Sequence, residues 1–112
     1  MNTISWLDFE KIDIRVGTIR SALIFEGLKN PAYKLTIDFG VELGEKRSSA
    51  QITSLYKPEE LVGKQVIAVV NFPPKQIKNF FSECLVLGIY NELEQVVLLQ
   101  PDKHVSNGLK IG

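Results

Sequence analysis

Residues 65–89 read QVIAVVNFPPKQIKNFFSECLVLGI, and this stretch decides the fold. Gln65 to Val70 is dense in β-branched residues and reads as a buried strand; Cys84 to Ile89 reads the same way. Between them, the pair Pro73-Pro74 holds Phe72 and Pro73 extended and stops the first strand. The segment Asn71 to Glu83 is therefore a loop, yet it carries three Phe and two Lys. Loops that join core strands while displaying aromatics and cations are where binding residues concentrate. Two roles stay open for each of these side chains. Phe72 and Ile77 either cap the core or face a partner, and Lys75 and Lys78 are either simply solvated or meet an anion.

Outward from this stretch, the remaining segments punctuate clearly. Ser5-Trp6-Leu7-Asp8 has the form of a capping box, so a helix of one or two turns is expected to about Lys11. So short a helix must dock on something, either this core or a second subunit. Ile12 to Val16 alternates with its apolar residues at even positions, and after Gly17 the phase flips to Ile19, which predicts a bulge or bend in a long first strand. After a turn at 26–31, Tyr33 to Phe39 alternates cleanly, with Lys34, Thr36 and Asp38 outward. Glu42-Leu43-Gly44-Glu45 reads as a hairpin turn, and Lys46 to Ile52 as a polar strand. Residues 53–63 suit a helical turn that restarts at Pro58 and stops at Gly63. Val96 to Leu99 is a short last strand ended by Pro101, followed by a tail that keeps Val105, Leu109 and Ile111.

Many short strands with glycine and proline turns favour an all-β sandwich or barrel. Five strands with a helical segment between the third and fourth match the Greek-key barrel of the OB-fold, whose binding surface is the face of strands two and three with the loops one-to-two and four-to-five. Here that surface would hold Lys34, Thr36, Lys46, Ser48, the 26–31 turn and the Pro-Pro loop. The short N-terminal helix, the extra short strand and the C-terminal tail are additions. We expect one domain over 1–112, with a core of about 8–100.

Charge supports the same surface. The 112 residues have 13 basic and 13 acidic side chains, so the protein as a whole is no polycation and only local patches can attract an anion. Lys46 to Lys57 and Val62 to Ser82 contain no acid, and both windows fall on the expected binding surface. A single cysteine, Cys84, cannot form an internal disulfide and reads as a small buried hydrophobe. With one His and one Cys there is no metal-ligand spacing, and no glycine-rich phosphate loop opens a helix. Ser82, Asp102 and His104 lack the strained turn of a nucleophile, so neither an enzyme nor a cofactor is expected. The N-terminus has no signal-peptide pattern and no apolar run reaches a membrane span, so a cytoplasmic protein without membrane contact is expected.

Three passages, Phe9 to Gly17, Arg47 to Thr53, and Val69 to Lys75 with Ser82 to Gly88, resemble the tRNA-binding-domain family of OB-fold proteins over nearly the whole chain. The Asn71 to Lys75 loop with Ser82 to Gly88 resembles in particular a branch of small, free-standing bacterial members. The resemblance implies a homodimer that binds tRNA by shape rather than sequence. That branch also carries a label as a chaperone in protein secretion, which makes unfolded polypeptides or preproteins the alternative partner. The family's tRNA-contacting motif, Asn-x-x-x-Arg/Lys followed by Ser-x-x-Met, falls on Asn71, Lys75, Ser82 and Leu85. Leu85 replaces the motif's Met, and Lys75 offers a point charge rather than a guanidinium fork. With these, Lys34, Lys46, Arg47 and Lys78 are expected to meet phosphates, and Phe80 or Phe81 to stack on a base. Ser82 is expected to serve binding and not the fold, with Glu83 turned toward a basic partner. Trp6, Leu7, Phe9, Val105, Leu109 and Ile111 carry more apolar surface than one barrel interior takes, and are expected to form the dimer interface.

Overall fold

The computed structural model describes every residue from Met1 to Gly112. Strand β1 (Ile14–Ile24) is the longest element, and each half of it has a different partner. Its first half pairs antiparallel with β4 (Gln65–Val69), from Ile14 opposite Val69 to Thr18 opposite Gln65. Its second half pairs with β2 (Tyr33–Asp38), from Thr18 opposite Asp38 to Ile24 opposite Tyr33. The bend between the halves has two visible causes. The register shifts between Ile19 and Ser21, so Arg20 is the extra residue of a bulge. Gly17 lies where a Cβ would come within 2.6 Å of Ile37 Cγ2 and 2.7 Å of the Phe39 ring, so only glycine lets the strand turn across the core there.

Strand β3 (Glu45–Ala50) continues from β2 through a helical turn, α2 (Gly40–Leu43), where the sequence predicted a plain hairpin turn. Gly44, at φ 69°, ends that turn, and its amide closes it on the Gly40 carbonyl at 2.7 Å. Helix α3 (Pro58–Leu61) lies between β3 and β4 as expected, with Pro58 in its first turn and Glu60 Oε1 accepting from the Lys57 amide at 3.0 Å. Its Leu61 is fully buried in the core with Ile19, Leu35, Ile37, Phe39 and Val66. Each such side chain contributes about 1.5–3 kcal/mol of burial.

The stretch after β4 departs from the expected loop and single strand. Residues 71–83 fold into a hairpin, β5 (Lys75–Ile77) and β6 (Phe80–Ser82), joined by Lys78 and Asn79. Cys84 to Ile89 is not one buried strand. It divides into β7 (Leu85–Val86), which pairs with β4, and β8 (Gly88–Tyr90), which pairs with β9 (Val96–Leu98). Gly88 marks the break, because a Cβ there would meet Val96 Cγ1 at 2.5 Å. The main sheet therefore runs β3-β2-β1-β4-β7.

The chain forms a nearly closed five-stranded antiparallel OB-fold barrel, and side chains complete the seam between its two edges. The Glu83 amide donates to the Arg47 carbonyl at 2.7 Å, and the Arg47 amide donates to Glu83 Oε1 at 2.9 Å. The Ser49 amide donates to Ser82 Oγ at 3.0 Å, and Ser48 Oγ donates to the Cys84 carbonyl at 2.9 Å. Ser48 is thus a buried seam residue and not part of the solvent face on which the sequence placed it. Burial raises the Cys84 thiol pKa to about 12, so it packs as a hydrophobe.

The two chain ends meet at the start of β1. Helix α1 (Trp6–Glu10) carries both halves of its capping box, Ser5 Oγ accepting from the Asp8 amide at 3.1 Å and Asp8 Oδ2 from the Ser5 amide at 3.3 Å. The C-terminal tail lies along β1, with the Val16 amide on the Leu109 carbonyl, the Gly108 amide on Val16 and the Ile111 amide on Ile14. The buried Gln65 side chain anchors the tail, donating to the Val105 carbonyl at 2.7 Å and accepting from its amide at 3.1 Å.

Candidate nucleic-acid interface

The β5–β6 hairpin folds back over the outer face of β2 and β3. Alternation along those strands decides which side chains it meets. On β2, Tyr33, Leu35 and Ile37 are buried, so Lys34, Thr36 and Asp38 face out. On β3, Ser48 and Ala50 are buried, so Arg47 and Ser49 face out, with Lys34 opposite Ser49 and Thr36 opposite Arg47. Lys46 has the parity of the inward residues and stands opposite Ile37, apart from the Lys34–Arg47 face the sequence grouped it with.

A small second cluster, Phe25, Ala32 and Phe80 with Leu28 and Ile77, joins the β1–β2 loop to the hairpin. Phe25 and Phe80 meet edge to face at 5.4 Å. Phe80 is only 7% exposed, so it has no free face for a base, contrary to the stacking expected of it. It carries cations instead. Lys34 Nζ lies 4.7 Å from the Phe25 ring and 5.8 Å from Phe80, and the Arg47 guanidinium lies 5.0 Å from Phe80. Such contacts stabilise an exposed cation by about 0.5–1 kcal/mol while leaving its polar end to solvent. Lys78, at φ 55° in the hairpin turn, places Nζ 3.3 Å from the position of a Cβ on Gly27, so it reaches across to the β1–β2 loop. Two cations thus rest on the aromatic pair, and a third reaches the loop that begins beside it. Glu83 sets a limit on them: its carboxylate stands 3.9 Å from Arg47 Nε, which is where the sequence expected a basic partner for it.

On the other side of the hairpin, Lys75, Ser82 and Leu85 line one groove with Ser49 and Gln51. Phe81 and Phe72 are exposed. Asn71 is not in this groove. Its Nδ2 donates to the Lys11 carbonyl at 2.7 Å and its Oδ1 accepts from the Asp13 amide at 3.0 Å, so it ties the segment after α1 to the hairpin. Ser82 also has a structural duty, since its Oγ holds the Ser49 amide; the expectation that it serves binding alone is corrected. No three His, Cys, Asp or Glu side chains are grouped to hold a metal, and no helix is long and apolar enough to cross a membrane.

Residues 14–110 match the model of a family described as a putative tRNA binding domain. The chain belongs to the tRNA-binding-domain family. Among solved structures it is similar to chaperone CsaA from Bacillus anthracis, with 51% identity and a TM-score of 0.93 over 99% of this chain and 100% of that one. The CsaA chaperone protein from Picrophilus torridus is 55% identical, with a TM-score of 0.92 over 98% of this chain and 100% of that one. A methionine–tRNA ligase of Parabacteroides distasonis is 38% identical over 106 residues, 93% of this chain and 15% of the ligase. The chain thus spans about 15% of the length of the ligases it matches, and what the family match covers is the binding domain. Of the four residues on which the sequence resemblance placed a contact motif, the structure brings Lys75, Ser82 and Leu85 to one groove and sets Asn71 apart. Sequence reasoning missed Phe25, Gln51 and Tyr90. Phe25 was legible in principle as an aromatic directly before the turn at 26–31, whereas Gln51 and Tyr90 become neighbours only through the barrel seam.

Proposed function

We propose that this chain binds tRNA by shape and phosphate contacts, as a homodimer. One observation carries the reading: in a protein of zero net charge, Lys34 and Arg47 lie over the Phe25–Phe80 pair, and Lys78 reaches Gly27 of the β1–β2 loop that this pair joins to the hairpin. Lys75 extends the cationic surface to the far side of the hairpin. Phosphate contacts of this kind position a nucleic acid without reading its sequence. Phe81, Leu85 and the hydroxyl proton of Ser82 add contacts to sugar or base, and Asn71 contributes by fixing the hairpin's base. Membership of the tRNA-binding-domain family supports RNA as the partner. Recovering and sequencing the nucleic acid that co-purifies at low salt tests it: tRNA is expected, and its absence with no tRNA binding in a filter assay would refute it.

The dimer rests on the chain ends. Helix α1 buries no residue, leaving Trp6 81% and Leu7 70% exposed, and Leu109 on the adjoining tail is also exposed. Phe9, Val105 and Ile111 are half-buried and would form the margin of such an interface. A two-fold contact through these ends would bury the excess and present two hairpins to one RNA, raising affinity by about 10² when both engage. Trp6→Asp with Leu109→Asp should sediment as a folded monomer with much weaker tRNA binding. A monomer that binds as tightly as the parent would contradict the two-site account.

A second reading, capture of unfolded polypeptide, is favoured by the exposed apolar β8–β9 hairpin with Ile89, Tyr90, Leu93 and Val97, and by similarity to proteins named chaperones. Salt separates the two: phosphate binding weakens steeply as salt rises, whereas apolar capture does not.

A further inference from the structure

A groove of about 540 Å³ runs between the end of β3 and the segment from Ser82 to Tyr90, within the size range of small-ligand sites. Nine of its fourteen lining residues are hydrophobic, including Ile52, Cys84 and Val86, so it offers more than a phosphate alone would use. Its only charged lining residue is Lys75, which makes no ion pair within the chain. The Gln51 amide and the Ser49 hydroxyl have no internal hydrogen-bond partner, and Ser82 Oγ accepts from Ser49 N, which leaves its proton free to donate. Tyr90 stands at the rim, 75% exposed.

We propose that this groove takes one unstacked nucleotide of the bound RNA. The base lies on the apolar floor against Tyr90, its edge meets Gln51 and the two serine hydroxyls, and its phosphate meets Lys75. The assignment rests on the RNA-binding reading and adds to it a base contact that shape recognition does not require. The chemistry fits each part. An aromatic ring stacks on any base, a glutamine amide supplies both a donor and an acceptor to a base edge, and a cation with no ion-pair partner suits one phosphate. An extended peptide offers that cation carbonyl oxygens but no obligatory anion to pair with it.

The probes are rA5, rU5 and a five-unit abasic ribose-phosphate strand, titrated at low salt against the intact protein. The base-bearing pentamers should bind more tightly than the abasic strand, and Tyr90→Ala should lower their affinity by about 5- to 150-fold, the span of one base–aromatic stack. Tyr90→Phe should retain most of that affinity, and Gln51→Ala should narrow any difference between rA5 and rU5. Lys75→Ala should weaken all three strands alike. Both Tyr90 and Gln51 are exposed, so their variants should melt with the parent. A pentamer carrying 2-aminopurine should lose fluorescence on binding the parent and keep it with Tyr90→Ala. Equal affinities for abasic and base-bearing strands would overturn the assignment while leaving the tRNA reading intact, provided tRNA still binds. Displacement of rA5 by an uncharged extended peptide that Tyr90→Ala no longer binds would make the groove a polypeptide site. Failure of tRNA itself to bind would overturn both.

Discussion

Replacing Lys78 in two ways separates its role in binding from its role in the fold. Lys78 has φ 55° in the hairpin turn, and its Nζ reaches Gly27 on the β1–β2 loop without an ion pair. A left-handed backbone costs a residue with a Cβ roughly 1–2 kcal/mol. Glycine removes that cost but loses about 0.5–1 kcal/mol more backbone entropy on folding than alanine. Lys78→Gly should therefore be more stable than Lys78→Ala by about 0.5–1 kcal/mol, or about 3 °C in melting temperature. Both variants remove the same cation. Each should lower the salt slope of tRNA binding by about 0.7–0.9, so that a fourfold rise in salt weakens the parent about threefold more than either variant. Filter binding at several salt concentrations, with thermal unfolding of both proteins, reads all of this. A parent-like slope in both variants would remove Lys78 from the interface. Equal melting of the two variants would refute the strain argument.

Other parts of the account can be tested separately. Gly17→Ala puts a methyl against Ile37 and Phe39 and should cost about 1–3 kcal/mol by urea unfolding. Ser82→Ala leaves the Ser49 amide without its partner and should lower stability by about 1 kcal/mol, whatever it does to RNA binding; an unchanged melting temperature would show that the seam does not depend on it. Cys84, with its thiol pKa raised to about 12 by burial, should resist iodoacetamide at pH 8 in the native state and react at the rate of unfolding. The Arg15 hydrogen bond lowers the pKa of Asp13, and the Gly40 amide followed by Arg20 lowers that of Asp38. Their contribution to stability is therefore complete above the ordinary carboxylate range and is lost as pH falls through their depressed values; Asp13→Asn with Asp38→Asn should flatten that acid limb of the stability curve.

The barrel was legible because its first strands alternate. Burial of Tyr33, Leu35 and Ile37 against outward Lys34, Thr36 and Asp38 follows directly from period-two reading. The capping box at Ser5 and the proline start of α3 are local chemistry and were equally readable. The site was less legible, for three physical reasons. The turn of the β5–β6 hairpin is Lys78-Asn79, which lacks the glycine that normally announces one. The barrel seam is completed by Ser48, Ser82 and Glu83 side chains, so residues that look like a polar surface or a binding motif also close the fold. Finally, Phe80 turns inward against Phe25, a contact made across 55 residues, and so supports cations instead of a base.

The most direct test of the central claim is the salt dependence of tRNA binding by the parent and by a variant with Lys34, Arg47, Lys75 and Lys78 all changed to Ala. If these four side chains neutralise phosphates, the slope of log affinity against log salt should fall by about 3, and the loss should be alike for unrelated tRNAs. A variant that is folded and binds tRNA with the parent's slope would contradict the account and place the interface on another face of the barrel.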